Sequence, residues 1–250
     1  MTTMKNIMFF FLLMATFVAE AQVQTPTQSP PGSVSTTVGL TESKVSYFRP
    51  RMRGRKIFGT DTKALVPYGK IWRTGANSGT VISFSDDVKV EGNTVPKGEY
   101  LLLTWPGATE WTIALNKDTK LGGNTDKYDK ANDVANFTVK PDKLTEKVET
   151  FTISIGDIAD DNKAGKIQLA WENTSVKFTV GVDYDAKVMK SIEDNTQVKP
   201  NNYFQAAVYY LETGRDLNKA LEWVNKALES NPTAFWMLHQ KAKIQRGLGD

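Results

Sequence analysis

Ile167-Gln168-Leu169-Ala170-Trp171-Glu172-Asn173-Thr174-Ser175-Val176-Lys177-Phe178-Thr179-Val180 is the stretch on which the fold turns. Apolar side chains alternate with polar or small ones along both halves, and a period of two places them on one face of an extended chain. Turn-prone Asn173 lies between the halves, so the run reads as two strands joined in a hairpin. The same period appears upstream in Trp111-Thr112-Ile113-Ala114-Leu115 and in Phe151-Thr152-Ile153-Ser154-Ile155. Short runs at residues 34–38, 44–48, 81–84, 88–90, 100–105 and 135–139 raise the total to roughly nine strands with polar connections. Pro96-Lys97-Gly98-Glu99-Tyr100 reads as a tight turn feeding one of them. The pattern predicts a mainly β domain over residues 34–182, an antiparallel β-sandwich or barrel.

After residue 183 the period changes to that of helices. A short helix is expected near residues 186–194. Phe204, Ala207, Val208 and Leu211 then share one helical face, and Gly214 suits a C-terminal cap. Asp216 can cap the next helix, where Leu217, Ala220, Leu221, Val224, Ala227 and Leu228 recur at three and four. Asn231-Pro232 stops it, and a third helix is predicted from about residue 233 to 247. This small α-helical hairpin tail, residues 183–250, resembles a tetratricopeptide repeat in its alanines at 220 and 227 and its Pro232. One repeat is too few for a solenoid, so the competing reading is an ordinary hairpin that caps the sandwich.

The N-terminus reads as a secretory address over residues 1–21. Lys5 precedes an apolar run at residues 7–18, and Ala19-Glu20-Ala21 fits the small-x-small cleavage rule. The run is too short to span a bilayer, so no membrane span is expected after its removal. Residues 22–33, with Pro26, Pro30, Pro31 and Gly32, are expected to form a flexible leader. The chain contains no cysteine, which excludes disulfides and an N-terminal cysteine lipid anchor. It is therefore read as a bacterial envelope protein, periplasmic or secreted, held together by core burial. The formal net charge of +3 is too small for binding driven by bulk charge, and no nucleic-acid partner is expected.

Catalytic signatures are sparse. The single histidine, His239, lies in the helical tail, so histidine triads and His/Cys zinc clusters find no constellation. No cofactor or metal is expected. Gly75-Ala76-Asn77-Ser78-Gly79 precedes a strand rather than a helix, unlike a phosphate-binding loop that opens a helix. The polar run at residues 116–132 holds Asn124, Asp126 and Asp129, but not at EF-hand spacing, and reads as a mobile solvated loop. Trp111 and Trp171 share parity with core residues, whereas Trp72 and Trp105 adjoin turns and are candidates for the surface.

The richest stretch runs over residues 47–84. Arginine occupies every second position from Arg49 to Arg55, followed by Lys56-Ile57-Phe58-Gly59, and later by Leu65-Val66-Pro67-Tyr68-Gly69-Lys70-Ile71-Trp72-Arg73-Thr74-Gly75-Ala76-Asn77. Pro50 and Gly54 argue against a continuous central strand, so the arginines belong to an edge or a loop. Arg55 and Arg73 stand among glycines and large apolar residues, where a guanidinium can be held rigid for bidentate bonding to an anion. The candidate ligand-binding residues are Arg55, Tyr68, Trp72, Arg73 and Asn77. Arg49 and Arg51 are expected to be surface charges.

Arg55-Lys56-Ile57-Phe58-Gly59, the run at residues 65–77, Pro96 to Tyr100, residues 110–117 and 147–154, and Trp171-Glu172-Asn173-Thr174 resemble the family called domain of unknown function 2911. The resemblance spans about residues 30–182. It implies an exported bacterial all-β domain, often followed by a helical tail, and supplies no catalytic residues. Ser78 stands where members usually carry an acid, and Gly122-Gly123 where they often carry Trp-Gly. The reading is a non-catalytic binding or assembly module, its partner an anionic small molecule, a glycan or an envelope protein. The alternative is a hydrolase acting on a glycan or ester through Asp or Glu residues.

Overall fold

The computed structural model describes residues 25–195 and 200–249. The expected signal segment and the first residues of the leader lie outside the described residues. The strands are β1 (Pro31–Val38), β2 (Thr41–Phe48), β3 (Phe58–Gly59), β4 (Val66–Pro67), β5 (Thr80–Phe84), β6 (Val88–Val90), β7 (Asn93–Val95), β8 (Gly98–Trp105), β9 (Trp111–Asn116), β10 (Asp133–Val139), β11 (Asp142–Gly156) and β12 (Ala164–Val182). One antiparallel sheet has the order β1-β2-β5-β8-β9-β10, a second β11-β12-β6-β7, and β3-β4 form a small parallel pair. Neither large sheet closes on itself, so the fold is a sandwich and not a barrel. Its core lies between the sheets. Val45, Ile82, Leu102, Ile113 and Leu115 from the first meet Ile153, Ile167, Leu169, Phe178 and Val180 from the second.

Three segments depart from the expectation. The hairpin at Asn173 does not form: β12 runs unbroken through it, paired along β11. Glu172 takes a left-handed φ of 54° there, and the register with β11 slips between Val148 and Thr152. A bulge inserts one residue and so exchanges the two faces of a strand. That is why burial moves from Ile167, Leu169 and Trp171 to Val176, Phe178 and Val180. The parity change that suggested a turn is a bulge. The leader is also shorter than expected, because Pro31 already opens β1, opposite Phe48. A first strand residue on a sheet edge tolerates the missing N–H of proline.

Residues 117–132 are not wholly a solvated loop. They make three 3-10 turns, exposed along most of their length, and the first packs Leu121 on the outer face of β8 and β9. Leu121 joins Leu101, Leu103 and Ala114 in a second apolar cluster, with Trp105 and Tyr128 beside it. This is why Leu101, Leu102 and Leu103 are all buried, on both faces of one strand. Two acids of this segment act as caps: Asp118 accepts from the Lys120 N–H and Asp129 from the Ala131 N–H. Asp133 accepts from Asn116, Tyr128 and Asn136.

The tail contains α1 (Asp185–Asn195), α2 (Pro200–Glu212), α3 (Leu217–Ser230) and α4 (Phe235–Leu248). Gly214 takes a φ of 66° behind α2, and the Asp216 side chain accepts from the N–H groups of Asn218 and Lys219. Ala206 and Ala207 on α2 and Ala220 and Ala227 on α3 are buried in a separate core with Tyr210, Trp223 and Ile244. Tail and sandwich meet along a thin seam. Tyr184 packs over Gly39, and its hydroxyl donates to the Asp161 carbonyl at 2.7 Å. Lys187 pairs with Asp86. Among the described residues no helix is long and apolar enough to cross a membrane.

Candidate functional site: an arginine-rimmed cleft

The arginine stretch leaves β2 at Phe48 and runs along the outer edge of β11. Met52 N–H donates to the Glu149 carbonyl at 2.8 Å and Phe151 N–H to the Pro50 carbonyl at 2.9 Å, with a bridge between Arg51 and Thr150. Arg53 and Gly54, with φ of 51° and 72°, then reverse the chain. The reversal lets the Arg55 guanidinium return to its own turn. Its Nε donates to the Met52 carbonyl at 3.0 Å and its Nη2 to the Arg51 carbonyl at 2.7 Å. A planar fork held at two points has lost most of its rotamer freedom before any ligand arrives.

The second wall is built from Trp72 onward. Trp72 exchanges both main-chain bonds with Thr104 of β8, at 2.7 and 3.0 Å, which fixes the loop to the end of the large sheet. Its indole is buried and stacks on Trp171 with ring centroids 5.8 Å apart, while Phe58, Trp111 and Phe151 meet it edge-on. Edge-on and offset contacts of this kind add about 0.5–1.5 kcal/mol each beyond burial. The Trp72 Nε1–H donates to the Gly75 carbonyl at 3.1 Å. Gly75 itself has a φ of 142°, and a Cβ there would lie 3.1 Å from the Phe48 carbonyl oxygen. From the other side Gly123 packs so closely that a Cβ would fall 2.1 Å from the Asn77 oxygen and 2.8 Å from Arg73 Nη1. Half-buried Arg73 donates from Nη1 to the Asn77 carbonyl at 3.2 Å.

Between these walls lies a cleft of about 560 Å³, within the usual range for a small-molecule site. Arg51, Arg53, Arg55 and Arg73 form its rim; the edges of Trp72 and Trp171, with Leu65 and Val66, form its floor. Gly75, Ala76 and Asn77 border it, and Gln28 and Ser29 close one end, where Arg53 Nη1 donates to Gln28 Oε1 at 3.3 Å. No Asp or Glu is among the lining residues. Glu149 on β11, outside the lining, accepts from the Arg53 main-chain N–H at 2.9 Å. Among the described residues the ion pairs use Lys56, Lys177, Lys187, Lys190, Arg215 and Lys226, and none of the rim arginines. Four guanidiniums with no carboxylate among the lining residues give the cleft a positive field.

Of the residues singled out from sequence, Arg55, Arg73 and Asn77 come together in this cleft. Trp72 reaches it only as buried floor, not as an exposed stacking ring, because its alternation partners carry it into the core. Tyr68 does not border it; the ring packs against the main core beyond β4. Arg51, expected to be a mere surface charge, stands on the rim. Arg49 is half-buried instead: its side chain lies 2.9 Å from where a Gly32 Cβ would be, and its Nη2 donates to Thr152 Oγ1 at 3.3 Å. Arg51 and Arg53 were missed because Arg55 and Arg73 were chosen by their neighbours in the sequence, whereas the reversal at Arg53-Gly54 brings Arg51 and Arg53 to the cleft in space.

These features define a class: an antiparallel β-sandwich with a helical tail and a cationic cleft where one sheet edge meets the loops of the other. The chain belongs to the family described as Protein of unknown function (DUF2911), whose family model matches residues 29–180. No curated protein and no solved structure is similar enough to the chain to match it.

Proposed function

We propose that this protein is an exported binding module that holds an anionic ligand in the arginine-rimmed cleft. The observation that carries the reading is four guanidiniums around one cleft whose lining contains no carboxylate. Two of them, Arg55 and Arg73, are already held by carbonyls of their own loops. Pre-ordered donors lower the entropic cost of binding. The charged start, apolar run and Ala19-Glu20-Ala21 support export to the periplasm or beyond. The helical tail, with Phe235 and Trp236 exposed on α4, offers a second surface to an envelope protein. A hydrolase working through paired carboxylates finds no support in this cleft. Calorimetric titration of the mature protein with citrate and with pyrophosphate tests the reading. Binding of at least one should weaken with salt and vanish in the Arg55→Ala/Arg73→Ala double variant. Absence of any binding, or binding unchanged in the double variant, removes the cleft from consideration.

A further inference from the structure

The cleft has donors besides its arginines. Thr74, Gly75 and Asn77 have φ of 54°, 142° and 53°, with Ala76 between them on the negative side. Thr74 is fully buried and β-branched, the residue class for which a left-handed backbone is least accessible. Its hydroxyl lies 3.0 Å from Thr104 Oγ1, and the Thr80 hydroxyl donates to its carbonyl. The surrounding sheet thus holds the loop in a strained shape, a condition that gathers at ligand clamps. Successive residues of opposite handedness can turn consecutive N–H groups toward one side, forming a concavity for anions, and Ala76 and Asn77 differ in the sign of φ. The N–H groups of Gly75, Ala76 and Asn77 donate to no acceptor among the described residues, and all three residues border the cleft.

We infer that the cleft is a phosphate site: a phosphate group is held between the guanidiniums of Arg55 and Arg73 and the main-chain N–H groups of residues 75–77. This rests on the cleft being the anion-binding site proposed above. A carboxylate presents two coplanar oxygens, which one arginine fork satisfies. A phosphomonoester presents three oxygens in a tetrahedron and nearly two negative charges, and needs donors from several directions. The cleft supplies such a set. Arg55 keeps its Nη1 donors uncommitted after its bonds to Met52 and Arg51. Leu65, 44% exposed beside them, offers contact to whatever apolar body bears the phosphate. A lipid headgroup and a soluble phosphate share this chemistry.

The full mature chain is titrated with inorganic phosphate and with citrate at equal ionic strength, and floated with phosphatidylcholine vesicles containing either phosphatidate or oleate. Phosphate or phosphatidate should bind more tightly than its carboxylate counterpart. Flotation on phosphatidate with weak binding of free phosphate assigns a lipid; the reverse assigns a soluble ligand. Arg73→Lys, which keeps the charge and removes the fork, should weaken phosphate binding by about tenfold or more, and Arg49→Lys should not. Ala76→Pro, which removes one N–H, should weaken phosphate binding more than citrate binding. Should Ala76→Pro fail to fold, Arg73→Lys still decides. If citrate or oleate vesicles bind as well as their phosphate counterparts, the phosphate assignment falls and the anion cleft stands. If no probe binds better than to the Arg55→Ala/Arg73→Ala double variant, both fall.

Discussion

At the scale of single residues the cleft combines groups of opposite importance for stability. Trp72 holds the loop to β8 by both main-chain bonds and fills the space between Phe58, Trp111, Phe151 and Trp171. Trp72→Ala should therefore cost about 3–5 kcal/mol in urea unfolding, and a loss under 1 kcal/mol would contradict a core role. Gly75→Ala should also destabilise, by more than about 1 kcal/mol, since it needs both a φ of 142° and room beside the Phe48 carbonyl. Arg55 and Arg73 make no ion pair among the described residues. Their single alanine variants should unfold within about 1 kcal/mol of the parent, so that any lost binding is attributable to the cleft.

At the scale of elements, β12 and the α2–α3 pair make the sharpest demands. Glu172 sits at the bulge with a φ of 54°; its side chain makes a long contact, 3.5 Å, from the Phe58 N–H and acts electrostatically on the Lys56 ammonium. A left-handed backbone costs a residue with a Cβ roughly 1–2 kcal/mol. Glycine avoids that cost, and a β-branched residue raises it. In urea unfolding Glu172→Gly should be at least as stable as the parent, and Glu172→Val less stable by at least about 1 kcal/mol. Equal midpoints for the glycine and valine variants would mean the bulge is not left-handed at this residue. In the tail, Ala220 and Ala227 are buried where α3 meets α2. Leucine at either position should overpack that contact and cost about 1–3 kcal/mol, read as an earlier thermal transition. An unchanged transition would refute the close approach.

At the scale of the whole molecule, two cores are joined by a polar seam that is sensitive to acid. The Lys187 ammonium beside Asp86 holds that carboxyl below its ordinary range, aided by the hydroxyls of Ser85 and Thr41. Within the tail, hydrogen bonds from Tyr209 and then Arg215 do the same for Asp185 at the start of α1. A carboxyl whose pKa is depressed in the folded state stabilises it above the unfolded value, near 4, and stops doing so as pH falls through the folded value. Lys187 and Arg215 stay charged throughout, so protonation of the acids alone weakens the contacts. Below about pH 4 the amides of α1 should lose hydrogen-exchange protection, corrected for intrinsic rates, before those of β5 and β8. Simultaneous loss in both would mean that tail and sandwich form one cooperative unit. Export belongs to this scale too: mass spectrometry of an envelope fraction should find a mature N-terminus at Gln22, and an intact Met1 there would defeat the proposal.

Strand against helix, a mainly antiparallel β domain (sandwich or barrel) and the caps at Gly214 and Asp216 were legible in the sequence alone. Each depends on residues a few positions apart, through periods of two or 3.6 and through local hydrogen bonds of the chain to itself. Half of the cleft was legible in the same way, because Arg55, Arg73 and Asn77 stand among glycines and aromatics that shape short loops. What only the tertiary structure decided are relations between distant segments. A parity change at Glu172 has the same local signature whether it marks a turn or a bulge, and the partner strand β11 settles it. Leu101 and Leu103 carry no sign of which side is wet until Leu121 covers them. Gln28, Arg51, Trp72 and Trp171 face one cleft because the sandwich folds four separate stretches to the same edge. Periodicity assigns each side chain a face of its own element; only packing assigns that face a neighbour.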